Sequence, residues 1–222
     1  MQCDSIAFFD VDHTISRRAT ALAFALICMK RHYIKWWYFL LVPFLYIFYR
    51  LFSFKIENLY SFALPFLRGK TRDEIEDIGK EAFELKLKND LYPGASREIE
   101  KLRSEGKRIV LATSTPFEAV YPLAQYYGIS SEDIIATQFS YVNDVFTGRL
   151  AGAPVFSRIK RDIINTFAQR GKIDLQFCSF YTDSIHDLPL LEIVGDPVAA
   201  NPDWRLRRIA RRRGWSIKDF SK

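Results

Sequence analysis

The chain has 222 residues, which is enough for one α/β domain with an inserted subdomain but too short for two ordinary domains. Its 49% apolar and 26% charged residues exclude a disordered chain and a uniformly hydrophobic multi-span membrane protein. The net charge of +6 is local, because six arginines between positions 205 and 213 match the whole excess.

The three cysteines, Cys3, Cys28 and Cys178, are widely spaced and form no C-x-x-C pair. This pattern predicts neither a disulfide framework nor a zinc site, and it favours a reducing cytosol. The first apolar run, 5–9, is too short for the apolar region of a signal peptide. We therefore expect a cytoplasmic protein, and an aromatic segment described below leaves membrane association open.

In chain order, the elements begin with the apolar run 5–9, which predicts a buried strand ending at acidic residues. No strand pattern follows between positions 19 and 89. Residues 71–74 have the spacing of a capping box, and Pro93-Gly94 opens another helix. The stretch 15–90 is therefore predicted to be an all-helical cap inserted after the first strand.

After Gly106, strand patterns alternate with helix patterns. Strands are predicted over 108–112, 133–137, 176–182 and 197–200. Helices are predicted over 116–127, 157–169 and 203–213, with a short one around Leu188. A hairpin is predicted over 138–150, with its turn at Asn143-Asp144. The alternation predicts an α/β fold in which a Rossmann-like parallel sheet carries helices on both faces. The predicted core comprises residues 1–14 and 91–222.

Polar residues follow three of the predicted strands, where ligands bind in doubly wound sheets. They are Asp10 and Asp12, then Thr113 and Ser114, then Asp183 and Asp187, and Lys160 lies near a helix start between them. Each group alone is as readily a turn, a helix cap or a solvated face. Together, four carboxylates in one crevice are expected to need a cation such as Mg²⁺, while a hydroxyl and a lysine suit a phosphoryl group.

In this order the motifs resemble those of the haloacid dehalogenase-like phosphatases, and most closely the phosphoserine phosphatase-like branch often called HAD-IB hydrolases. Residues 8–14, FFDVDHT, are similar to motif one, and 111–116, LATSTP, to motif two. Lys160 fits motif three, and 181–191, YTDSIHDLPLL, fit motif four. The resemblance covers nearly the whole chain.

The resemblance implies a magnesium-dependent phosphomonoester hydrolase that works through an aspartyl-phosphate. Asp10 would be the nucleophile and Asp12 the general acid and base. Thr113, Ser114 and Lys160 would hold the phosphoryl group. The resemblance also implies a Mg²⁺ site formed by Asp10, Asp12, Asp183 and Asp187, with the backbone carbonyl of Asp12 facing the metal and Asp187 binding directly or through water.

Three positions depart from the phosphoserine phosphatase pattern. Ala19 stands where those enzymes carry a glutamate for the substrate ammonium, and the basic pair Arg17 and Arg18 precedes it. His186 replaces an asparagine, and it is predicted to be a surface histidine rather than a phosphate contact. The glycine often found shortly before the motif-three lysine is missing, which leaves Arg158 and Arg161 as alternatives to Lys160. An anionic or non-amine substrate therefore fits better than phosphoserine.

Two unusual segments bear on location. The aromatic segment 33–54 is predicted either to pack within the cap or to lie at a membrane interface, and a full crossing is not expected because its uncharged run is short. The basic helix 203–213 is predicted to be a solvated helix on the core, with contact to an anionic membrane as the alternative. Nucleic-acid binding is not expected, since no recognition motif is present.

Several functions stay open at this point. The substrate is either a lipid-headgroup phosphate such as phosphatidylglycerophosphate or a small phosphate such as phosphoserine or histidinol phosphate. A phosphatase-like fold serving as a membrane or nucleic-acid binding module is the alternative of another class. The intact acidic residues favour the enzyme, because a module without catalysis has no use for a self-repelling acidic cluster.

Overall fold

A parallel β-sheet forms the centre of the protein, whose computed structural model describes residues 5–34 and 65–222. Its strand order is β3-β2-β1-β6-β7-β8, and each neighbouring pair is parallel. The strands are β1 (Ile6–Phe9), β2 (Arg108–Pro116), β3 (Ile134–Thr137), β6 (Ser179–Thr182), β7 (Asp196–Ala200) and β8 (Ser216–Lys218). The predicted α/β fold is confirmed.

Helices cover both faces of this sheet, because side chains alternate along each strand. In β1, Ala7 and Phe9 join the hydrophobic cluster on one face, while Ile6 and Phe8 join the cluster on the other. The helices among the described residues are α1 (Thr20–Lys30), α2 (Arg72–Ala82), α3 (Pro93–Ser104), α4 (Phe117–Tyr126), α5 (Ser157–Gly171), α6 (Leu188–Leu191) and α7 (Trp204–Arg213). The first four contribute to the first cluster and the last three to the second.

The described part of the insertion 15–90 contains α1 and α2, followed by a π-helical turn over Phe83–Leu87 and a 3-10 turn over Lys88–Asp90. The capping box at Thr71 and Glu74 is present, with each side chain accepting from the other residue's amide. The two chain crossings to the core lie side by side, since the Arg17 amide donates to the Asp90 carbonyl at 2.8 Å. Where the cap ends and the core begins stays a prediction.

A two-stranded hairpin, β4 (Phe139–Val142) and β5 (Val145–Leu150), follows β3. Asn143 and Asp144 at its turn have φ of 49° and 59°, the left-handed conformation that a tight hairpin turn requires. The hairpin also contacts the cap, because the Phe146 amide donates to the Lys70 carbonyl at 2.8 Å. The predicted hairpin is therefore present and is hydrogen-bonded to the segment before α2.

Apart from one-residue differences at element ends, the elements differ from the prediction at four places. The strand β2 continues to Pro116 rather than ending at residue 112, with a register shift after Thr113. The strand β6 begins at Ser179 rather than 176, because 175–177 form a 3-10 turn. The helix α5 continues to Gly171 rather than ending at residue 169, and Lys172 adopts the left-handed φ of 54° that ends it. The strand β8 follows the basic helix, so the strand at 197–200 is not the last.

The aromatic segment 33–54 lies mostly outside the described residues, which include only Tyr33 and Ile34 from it. The prediction for residues 35–54 therefore stays a prediction. Within 5–34 and 65–222, no helix combines the length and the apolar character needed to span a bilayer. The basic helix is present as α7, and Asp203 caps it by accepting from the amides of Arg205 and Leu206.

Candidate active site

The candidate site lies at the carboxyl ends of β2, β1 and β6, three neighbouring strands of the sheet. Asp10 directly follows β1, Thr113 lies in the last part of β2, and Asp183 directly follows β6. Because parallel strands point their carboxyl ends to one edge, the three residues share that edge. The Asp10 amide donates to the Tyr181 carbonyl at 2.9 Å, so the pairing of β1 with β6 extends to the start of the site.

Lys160 lies within the first turns of α5, and its ammonium is held between two carboxylates. Its Nζ donates to Asp10 Oδ1 at 2.8 Å and to Asp187 Oδ2 at 2.9 Å. The Thr182 hydroxyl also donates to Asp187 Oδ2, at 2.8 Å. All four residues are buried, and Lys160 is only 3% exposed. Lys160 is thus the basic residue that reaches the acidic cluster.

The carboxylate of Asp12 is fixed at both oxygen atoms. Its Oδ1 accepts from the Thr20 amide at 2.7 Å, and its Oδ2 accepts from the Thr115 hydroxyl at 3.0 Å. Thr20 begins α1, so the Asp12 carboxylate caps a helix of the insertion and interacts favourably with its dipole. Asp12 is only partly buried, so part of its surface is exposed to solvent.

The hydroxyl of Thr113 is oriented by the backbone. Thr113 is buried, and its Oγ1 accepts from the Thr115 amide at 3.1 Å. Because that lone pair is used, the hydroxyl proton remains available to donate to a bound group. The neighbouring Ser114 is partly buried, and its carbonyl accepts from the Thr137 hydroxyl at 2.7 Å.

Asp183 is joined to the loop after β1 through Thr14. The Asp183 amide donates to Thr14 Oγ1 at 3.0 Å, and the Thr14 hydroxyl reaches Asp183 Oδ1 at 3.5 Å. The sequence alone suggested no role for Thr14, Thr182 or Thr115. A signal existed, since all three belong to the quoted motifs, but threonines beside aspartates also occur in ordinary turns.

Burial and mutual repulsion dominate the electrostatics of the cluster. Burial, offset in part by Lys160 and increased by the charge of Asp187, raises the pKa of Asp10 from 3.8 to about 7. Burial, followed by the charges of Asp10 and Asp187, raises the pKa of Asp183 to about 8. Burial lowers the pKa of Lys160, but the charges of Asp10 and Asp187 outweigh it and the pKa lies above its usual value. Lys160 is therefore protonated at neutral pH.

The charges of these residues suit a divalent cation. Asp10 and Asp187 share the one ammonium group of Lys160, and after burial the charges of these two carboxylates contribute to the raised pKa of Asp183. Among the described residues, no group of three or more acidic, histidine or cysteine side chains is positioned to hold a metal ion by itself. A Mg²⁺ ion does not need one, because it usually takes one or two carboxylates and keeps several waters. The donor set fits the ion.

The remaining candidates lie at the rim of the site or away from it. Arg18 Nε donates to Asp90 Oδ2 at 2.7 Å, and the Arg17 guanidinium lies 5.3 Å from the Tyr92 ring centroid, so both join the two crossings of the cap. His186 is exposed, as predicted, with its ring 5.2 Å from that of Phe156. The alternative Arg161 is paired with the exposed Asp162, and Arg158 is exposed.

Comparison with known families decides the classification. The family model of the haloacid dehalogenase-like hydrolases matches residues 7–192, which include the whole acidic cluster. The chain belongs to this family. Within it, the chain is a phosphatase of the phosphoserine phosphatase-like branch, in agreement with the resemblance seen in the four motifs.

Two curated relatives illustrate the branch. A Mycobacterium tuberculosis protein named phosphoserine phosphatase SerB1 is 33% identical over 221 residues, covering 96% of this chain and 70% of the relative. A Neisseria meningitidis protein named histidinol-phosphatase is 28% identical over 169 residues, covering 74% of this chain and 75% of the relative. The two names differ in substrate, so kinship at this level leaves the substrate of this hydrolase open.

Solved structures support the fold. A Bordetella pertussis protein described as having unknown function matches with a TM-score of 0.88 and 28% identity, covering 99% of this chain and 100% of that chain. A phosphoserine phosphatase solved as a phospho-aspartyl intermediate analogue matches with a TM-score of 0.68 and 16% identity, covering 100% of this chain and 95% of that chain. At 16% identity the second likeness shows the fold alone.

Proposed function

We propose that this hydrolase removes phosphate from monoesters with the help of Mg²⁺ and through an aspartyl-phosphate on Asp10. The observation that carries the proposal is the ammonium of Lys160 between Asp10 and Asp187, at the carboxyl ends of three adjacent strands. A buried lysine here balances carboxylate charge and presents a fixed positive charge to a phosphoryl group. Phosphate monoesters hydrolyse so slowly that positioning and charge neutralisation are the expected means of catalysis.

The proposed reaction has two steps. In the first, an Asp10 oxygen attacks phosphorus while the bond from phosphorus to the alcohol oxygen breaks, and Asp12 donates a proton to the leaving alkoxide. In the second, the alcohol has left with that proton, and Asp12, now a carboxylate, takes a new proton from a water molecule. The water attacks phosphorus, phosphate leaves, and the Asp10 carboxylate is restored.

The same proposal assigns the remaining polar groups. Thr113 donates its hydroxyl proton to a phosphoryl oxygen, Ser114 lies beside it in the phosphate-binding segment, and Lys160 supplies the positive charge. Mg²⁺ would be held by the side chains of Asp10 and Asp183 and the carbonyl of Asp12, and it would neutralise charge on the phosphoryl oxygens. Asp187 already accepts from Lys160 and Thr182, so it would reach the ion through water.

The decisive test is Asp10→Asn. We expect loss of p-nitrophenyl phosphate turnover by at least about 10³-fold, because an amide is a far weaker nucleophile than a carboxylate. The matched control is Asp162→Asn, an exposed carboxylate in the same protein, which should keep full activity. Circular dichroism should show that both variants fold. Retained turnover in Asp10→Asn would contradict the nucleophile assignment.

The substrate is proposed to lack the ammonium group that phosphoserine carries. Ala19 has no carboxylate that could bind a substrate ammonium group. The carboxylate of Asp90 is already paired with Arg18. A lipid-headgroup phosphate or a small non-amine phosphate fits the basic loop better. A panel of phosphatidylglycerophosphate, phosphoserine and histidinol phosphate tests this point. The highest kcat/KM on phosphoserine or on histidinol phosphate, which both carry an ammonium group, would refute it.

We also propose peripheral contact with anionic membrane through α7. Arg207, Arg208, Arg211 and Arg212 are exposed on this helix, while Leu206 and Ala210 are buried against the core. Each basic residue near an anionic surface contributes roughly 1 kcal/mol. The contribution of segment 33–54 belongs to the same proposal.

A further inference from the structure

Thr115 contacts two of the candidate site residues, Asp12 and Thr113, through different atoms. Its hydroxyl donates to Asp12 Oδ2 at 3.0 Å, and its amide donates to Thr113 Oγ1 at 3.1 Å. It is 2% exposed, at the end of β2 where the pairing with β3 shifts register. The residue therefore sits between the proposed acid and base and a proposed phosphate contact.

We propose that Thr115 is a positioning residue that holds the Asp12 carboxyl in the orientation needed to reach the leaving-group oxygen. The inference rests on the proposed function, since it concerns the residue assigned to proton transfer. The other oxygen of Asp12 is held by the Thr20 amide at 2.7 Å, a backbone contact that belongs to the insertion. Among residues 5–34 and 65–222, the Thr115 hydroxyl is thus the side-chain contact through which the core fixes Asp12.

Losing this contact leaves Asp12 held at one oxygen only. The carboxyl can then rotate about its terminal torsion, whose energy profile is broad, and its alignment with the leaving group is lost. A hydroxyl suits the position in both steps, because it donates to a carboxylate and accepts from a carboxylic acid. A valine has nearly the same shape but can do neither.

Comparing leaving groups separates positioning of Asp12 from a general structural effect. An alkyl alkoxide needs a proton to leave, whereas p-nitrophenolate leaves without one, so only the alkyl ester depends on Asp12 in the first step. For Thr115→Val we expect kcat/KM to fall about 10- to 100-fold for the alkyl phosphate of a panel that the wild type cleaves best. For p-nitrophenyl phosphate it should stay within about threefold of wild type.

Thr115→Ser is the matched control, because it keeps the hydroxyl and should retain most of the alkyl phosphatase activity. The amide contact to Thr113 is present in all variants. If Thr115→Val does not fold, Thr115→Ala compared with Thr115→Ser gives the same contrast without the branched side chain. Equal losses on both substrates, or no loss on the alkyl phosphate, overturn the inference. Failure of the proposed function looks different, since it appears as activity retained in Asp10→Asn or absent from the wild type.

Discussion

At the residue scale, Lys160 shows what the fold adds to the motif. The sequence left Arg158 and Arg161 as alternatives, because neighbouring basic residues at the start of a helix look alike in a one-dimensional pattern. In the structure, the side chains of Lys160 and Arg161 have different partners. Lys160 is buried against Asp10 and Asp187, and Arg161 pairs with the exposed Asp162. A buried ammonium between two carboxylates is strongly coupled to both, and its removal leaves uncompensated charge.

Lys160→Gln is therefore expected to lower p-nitrophenyl phosphate turnover by about 10²- to 10³-fold, through loss of transition-state charge stabilisation. Arg161→Gln, one residue along the same helix, should stay within about twofold of wild type, since an exposed ion pair contributes little. Steady-state kinetics at saturating Mg²⁺ measure both. Equal losses in the two variants would assign the effect to the helix rather than to the ammonium group.

Asp183 provides a test of the electrostatics that needs no substrate. Its pKa of about 8 in the folded protein lies above its ordinary 3.8, so the folded state binds the proton more tightly than the unfolded state. The resulting stability is complete below about pH 4 and is lost as the pH rises through about 8. Asparagine does not titrate. In EDTA, the melting temperature of Asp183→Asn should therefore rise relative to wild type between about pH 5 and pH 8, by at least roughly 2–4 °C.

Adding Mg²⁺ gives that comparison its control. A cation that binds the ionised cluster stabilises the wild type by mass action, and more strongly at high pH, where the carboxylates are charged. Asp183→Asn should gain much less. In EDTA, a constant difference between the melting temperatures of wild type and variant across the pH range would contradict the raised pKa of Asp183.

At the element scale, the first residue of α5 has an unusual backbone conformation. Ser157, three residues before Lys160, has a φ of 51°, in the left-handed region that favours glycine. Ser157 therefore holds a backbone conformation that a glycine would adopt at lower cost. A non-glycine residue in this conformation costs about 1 kcal/mol or more.

Ser157→Gly is expected to stabilise the protein by about 0.5–1 kcal/mol, because relief of the steric cost exceeds the added entropy of the unfolded chain. Arg158→Gly, at the next position of the same helix, should instead destabilise by about 1 kcal/mol. Urea denaturation of the two variants measures both signs. Destabilisation by Ser157→Gly would show that the serine side chain contributes more than the backbone strain removes.

The boundary errors also have physical causes at this scale. The strand β2 was predicted to end at Ala112 because hydroxyl residues follow, yet Thr113 and Thr115 are β-branched and pack in the buried continuation of the strand. The strand β8 is only three residues long and pairs with β7 at the sheet edge. Its sequence is too short to show an alternating pattern, so only its partner strand reveals it.

At the scale of the whole molecule, strand alternation was enough to predict the parallel sheet and the edge where the carboxylates meet. The sequence could not supply the hydrogen-bond network among Thr14, Thr115, Thr182 and the carboxylates, because these contacts join elements far apart in the chain. The order of strands likewise depends on long-range pairing. The positive charge, by contrast, was located from sequence alone, and α7 carries it on its exposed side.

That charge distribution makes membrane contact testable by vesicle flotation. We expect the protein to float with vesicles containing phosphatidylglycerol at low ionic strength and to remain in the bottom fraction as salt screens the charges. A variant with Arg207, Arg208, Arg211 and Arg212 changed to glutamine should float less, while Arg161→Gln serves as the control for loss of one exposed arginine elsewhere. If the quadruple variant floats like wild type, the contact runs through another surface such as segment 33–54. Full recovery of the wild type in the bottom fraction, with or without anionic lipid, would refute membrane contact. The arginines would then only form the solvent-exposed face of α7.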